Sequence, residues 1–162
     1  AVLALTLHIE LFTLEHYRSS IEPDEELSAL YRDVFFYHWR EESQHAILDE
    51  LEWLREDATL DAEARDAAVT DLIELVGAVD AILQVQAAAD ARFFASYCHR
   101  KLSAAERERV QALILKAYRW QYIVSGLRQS RFPKVLASLI TPTQQARIDA
   151  ALAPIMQAFV AH

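Results

Sequence analysis

Residues His38–Leu54 read HWREESQHAILDELEWL, without a glycine or a proline. At 100° per residue, Phe35, Ala46 and Trp53 share one helical face with Tyr31, and that face also carries His38, Glu42, His45 and Asp49. Ionisable groups on an aromatic-flanked face are costly to bury unless a partner or a metal compensates. The Glu42–His45 pair is a Glu-x-x-His spacing, which puts a carboxylate and an imidazole one turn apart, within reach of the same ion. A long helix with a chemically loaded face is the first expectation.

The rest of the chain supports helices throughout. Its 162 residues include two glycines, four prolines and no asparagine, whereas average usage is roughly 7% Gly and 5% Pro. Tight hairpins need Asn-Gly or Asp-Gly turns, so this composition excludes most all-β folds. A chain of this length is expected to form one helical domain, 1–162, with a sizeable core.

The formal net charge is −8, and no Lys/Arg run tracks a phosphate backbone. Nucleic acid and anionic membrane surfaces are therefore not expected partners. Charge interrupts the apolar stretches short of a membrane span. A lone cysteine, Cys98, excludes an intrachain disulfide framework and suits a reducing, cytoplasmic setting. The start, AVLALTLHIELF, has no basic region or small-residue cleavage site, and neither Met nor a helix cap. It reads as a chain joined inside a helix, with sequence missing upstream.

Six segments follow from the punctuation. The first helix is expected over Val2 to Ser19 and the second over Asp24 to Arg55. The third spans Ala62 to Arg100, with a bend near Gly77. The fourth is capped by Ser103 with Glu106 three residues on, and runs to Arg128. Pro133 opens a fifth, and Pro142 or Thr143 a sixth, kinked at Pro154. The expected fold is an all-α four-helix bundle over about 2–128 with two short helices over about 134–160.

Inward stripes place Glu10 among Leu3, Leu7, Leu14 and Tyr17. The opposite face of that helix holds Leu5, Ile9 and Phe12, so it is expected to be covered on both sides, by another helix or another subunit. Which of the two covers it is not set by the residues; a homo-oligomer, with a dimer favoured, is the expected state. In the third helix Leu72, Val76, Val79, Leu83, Phe94 and Tyr97 point inward, with Gln86 and Asp90 on their stripe. In the fourth, Val110, Ile114, Ala117 and Val124 surround Gln121, with Tyr118 beside it. The basic set Arg119, Arg128, Arg131 and Lys134 reads as a solvated or intersubunit face.

Glu10 followed by Glu42-x-x-His45 resembles half of the site in the ferritin-like family of carboxylate-bridged di-iron proteins, and HWREESQHAILDELEWL resembles the second helix of rubrerythrins. The resemblance implies a ferritin-like bundle over roughly residues 1–128. It makes Glu10 a terminal ligand, Glu42 a bridging carboxylate and His45 the imidazole ligand. The second half departs from the pattern: Gln86 or Asp90 stands on the third helix, and Gln121 and Tyr118 on the fourth. Amides are weak iron ligands, so the expectation is iron, or else manganese, at one or two ions per chain. The ligand candidates are Glu10, Glu42, His45, Asp90, Gln86 and Gln121.

The implied activity is an oxidoreductase using O2 or peroxide on a small-molecule substrate that the residues do not name. A structural or partner-binding module with a metal-free, hydrogen-bonded polar stripe is the alternative, and iron storage in a shell a third. His38 and Asp49 read as groups that orient the ligands. Phosphate loops, nucleophile motifs and Cys/His zinc spacings are absent from the sequence.

Overall fold

The computed structural model describes residues 1–160, and among them all regular structure is helical. Helix α1 spans Val2–His16 and passes into a π-helical turn, Tyr17–Ile21. Helix α2 spans Ala29–Asp57. It begins later than the acidic residues suggested, because the Asp24 carboxylate accepts from the Glu26 amide in a local turn. Ser28 supplies the cap instead, its hydroxyl accepting from the Tyr31 amide.

Helix α3, Ala62–Tyr97, is capped by Asp61 and runs unbroken through Gly77. Helix α4, Ala104–Arg119, starts at the expected Ser103–Glu106 capping box. It continues through a second π-helical turn, Trp120–Val124, into the short α5, Ser125–Arg128. Helix α6, Arg131–Leu139, opens two residues before Pro133, which lies in the first turn where its missing N–H is harmless. Helix α7 spans Pro142–Val160 and carries Pro154 in its interior.

The helices pair as antiparallel hairpins, α1 with α2 and α3 with α4. As expected, α1 is covered on two sides: α2 lies on one, and α5, α6 and part of α3 on the other. One core gathers Leu7, Leu11, Leu72, Phe132 and Ile148, and a second gathers Leu83, Ile123, Val124 and Ile155. Phe94 and Tyr97, expected inside, are exposed. Their turns of α3 bury Ala87 and Ala91, and these small residues allow α4 to approach that face. Ala117 is exposed as well.

Helix α2 buries only one apolar side chain fully, Ala46. Its outer face carries Leu30, Val34, Tyr37, Leu48 and Leu51, all more than half exposed. Contrary to the sequence expectation, α3 is long and apolar enough to cross a membrane by length and composition. Its mid-helix acid Asp80 is nevertheless paired, with Arg119 donating to both carboxylate oxygens at 2.6 and 2.8 Å. Arg131 likewise pairs with Glu50, and Arg128 lies over the Trp120 ring. These three residues of the basic set are thus engaged within the chain rather than simply solvated.

Candidate metal centre

The α1–α2 hairpin brings Glu10 against the Glu42–His45 turn. One ligand atom from each of Glu10, Glu42 and His45 lies within 4.8 Å of the others. The spacing of Glu42 and His45 is local, one turn of one helix. Glu10 joins them because it lies on the side of α1 that packs against α2.

Glu42 is the hub of the cluster. His45 Nδ1 donates to its Oε2 at 2.7 Å, and His38 Nε2 forms an ion pair with its Oε1 at 2.7 Å. Glu10 adds a second hydrogen bond, carboxyl to carboxylate. Glu42 itself is mostly buried, whereas His38 and His45 are half exposed.

Partial burial, the hydrogen bond with Glu42 and the nearby negative charges of Glu42 and Asp49 push the Glu10 carboxyl up to about 7. Burial pulls Glu42 the same way, but the hydrogen bonds from Glu10 and His45, with the positive charge of the two histidines, win and hold it below its ordinary value. The hydrogen bond to Glu42 raises the His45 imidazole. Glu10 and His45 thus each keep a proton to higher pH than the isolated side chain would. A divalent cation takes the place of such protons, since metal ligands must be deprotonated to bind.

The other candidate ligands lie elsewhere. Gln86 donates to both oxygens of Asp90 at 3.0 Å, and the Tyr118 hydroxyl donates to Asp90 at 2.5 Å. That contact holds Asp90 below and raises Tyr118 above their ordinary values. The three residues form a hydrogen-bonded clasp between α3 and α4, and Asp90 is not grouped with Glu10, Glu42 and His45. Gln121 lines an aromatic cavity with His38, His16 and Trp39.

His8, also on α1, stands apart from the cluster. It is buried, its Nε2 donating to the Tyr122 carbonyl at 3.3 Å, and burial lowers its pKa. His16 went unremarked. Its Nδ1 is the one buried side-chain polar atom without a hydrogen-bond partner among the described residues. A histidine in the last turn of an apolar helix was the available signal.

No family model matches the chain, and neither any curated protein nor any solved structure does. The site therefore rests on its own chemistry. Two carboxylates and an imidazole are donors of the kinds that divalent first-row metals accept. His38 pairs with the Glu42 carboxylate from outside, a contact that would steady that carboxylate were an ion bound.

Proposed function

We propose that this chain is a ferritin-like metal-binding protein in which Glu10, Glu42 and His45 hold iron or manganese, and that it acts as an oxidoreductase toward O2 or peroxide. The observation that carries the reading is the convergence of the three ligand atoms within 4.8 Å, across two helices. A bound ion would supply the redox chemistry and an open position for the oxidant. The residues of this chain do the rest. Glu42 and His45 orient each other, Glu10 gives up its proton on binding, and His38 steadies Glu42.

The reading includes a homodimer in a reducing, cytoplasmic setting. The accessible surface is 10457 Å², against roughly 8,200 Å² for a folded monomer of this mass. The excess is of the order that one protomer buries in a permanent dimer. The outer face of α2 supports a second copy as the cover.

Elemental analysis of protein expressed with iron and manganese tests the reading. The expected result is about one ion per chain, lost in His45→Ala while the far-ultraviolet circular dichroism stays helical. Unchanged metal content in that variant would remove His45 from the site. Absence of metal from the parent would favour the hydrogen-bonded structural network.

A further inference from the structure

The two cores meet at Val76, Leu127 and Leu152, which pack against both. At that junction α1, α3, the second π-helical turn, α5, α6 and α7 leave a cavity of about 240 Å³. Native interiors are close-packed, with few voids larger than a water molecule. An apolar void of about 150 Å³ stays dry and takes up benzene. By the same ratio this one has room for about nine or ten carbon atoms.

Three observations narrow the guest. The first is polarity. Among the described residues no Asp, Glu, Lys or Arg lines the cavity, and its walls are mostly Leu, Ile and Val. His8 is the exception, but its Nε2 is already bonded to the Tyr122 carbonyl, and burial lowers its pKa and keeps the ring neutral. A charged guest would give up its water there with nothing to compensate it.

The second observation is shape. The walls run along residues 72–79 of α3 and 148–155 of α7, about 10 Å of each helix. A space drawn out along two helices suits a chain better than a compact ring. The third is access. Arg147 holds α7 to Thr70 of α3 at 2.6 Å. Just beyond that contact, Gly77 of α3 and Ala151 of α7 both line the cavity and are both exposed. A Cβ added at Gly77 would meet no atom within 4 Å. The missing side chain leaves a mouth between the two helices, where one polar end of a guest can stay in water.

We propose that this cavity binds a neutral, unbranched aliphatic molecule of about eight to ten carbons, its chain lying between α3 and α7 and its one polar end at the Gly77–Ala151 mouth. Glu10, Glu42 and His45 are not among the walls, so the site stands independently of the metal reading.

The test is calorimetric titration of the chain with 1-octanol, 1,8-octanediol and cyclooctanol. 1-Octanol is expected to bind. 1,8-Octanediol should bind about tenfold more weakly or worse, because its second hydroxyl is buried unpaired. Cyclooctanol, with the same number of carbons in a compact ring, should also bind more weakly. Val76→Phe puts a ring into the middle of the cavity, and Gly77→Leu puts a side chain at its mouth. Each should weaken 1-octanol by about tenfold or more while the far-ultraviolet circular dichroism stays helical. The two variants act at different places, so one that fails to fold leaves the other as the test.

Equal affinities for the three alcohols, unchanged 1-octanol affinity in either folded variant, or no 1-octanol binding at millimolar concentration would overturn the proposal. An affinity for 1-octanol that falls as protein concentration rises would also overturn it, and would make a second copy of the chain the cover of the mouth.

Discussion

Glu10 carries its proton to about 7 in the folded chain, whereas an unfolded glutamate releases it near 4.3. Between those values the folded state binds more protons than the unfolded state, so metal-free stability falls as pH rises through that window. His45, raised by its bond to Glu42, acts in the same direction: its contribution is complete below its ordinary value and is lost as pH climbs through the raised one. Metal reverses the slope, because the ion displaces those protons and binds more tightly as pH increases. Thermal melts at pH 5.5 and pH 8, with and without Mn²⁺, check both signs. Glu10→Gln keeps a neutral hydrogen-bonding group at the position but loses the ligand. In metal-free protein this variant is expected to melt at or above the parent at pH 8. It should also bind less metal, and a variant loading metal as the parent does would exclude Glu10 from the centre.

Helix pairs are held by interactions that the wheel diagrams treated as surface. Arg119, in the last turn of α4, forks onto Asp80 in the middle of α3, and both side chains are mostly buried. Arg119→Met leaves the Asp80 carboxylate buried against Gln84 alone. The expected cost is about 3 kcal/mol, measured by urea denaturation, with Asp80→Asn in the same chain recovering most of it. The π-helical turn and α5 are seated on α1 by Gly126, where an added Cβ would lie 2.6 Å from His8 Cε1 and 2.8 Å from His8 Nδ1. Because His8 is buried and bonded to the Tyr122 carbonyl, the ring has little freedom to yield. Gly126→Ala is expected to destabilise the chain by about 1–3 kcal/mol. Adding His8→Ala should relieve part of that loss, and strict additivity of the two changes would count against the steric account.

The chain as a whole exposes more surface than a folded monomer of its mass requires. Leu48 and Leu51 lie on the outer face of α2, away from the α1 contact made around Ala46. Leu48→Glu with Leu51→Glu should therefore spare the fold of the hairpin while disrupting the proposed dimer. Sedimentation equilibrium is expected to give a dimer for the parent and a monomer for the double variant. A parent that stays monomeric at high concentration would dismiss the second copy as the cover of this face.

Much of the helical framework is legible along the chain, since scarce glycine and proline, the Ser103–Glu106 box and Pro142 are local signals whose partners lie within one turn. The Glu42–His45 pair is legible for the same reason: a helix sets the separation of residues three apart whatever surrounds it. Other features required the packed molecule. Glu10 meets that pair only because α1 and α2 pack with a particular rotation. Asp90 shares an inward stripe with Gln86, yet Tyr118 claims it across the α3–α4 pair. The π-helical turns and the unpartnered His16 also depend on how neighbouring helices press together, since backbone periodicity relates residues within a helix and leaves the rotation of one helix against another to side-chain packing.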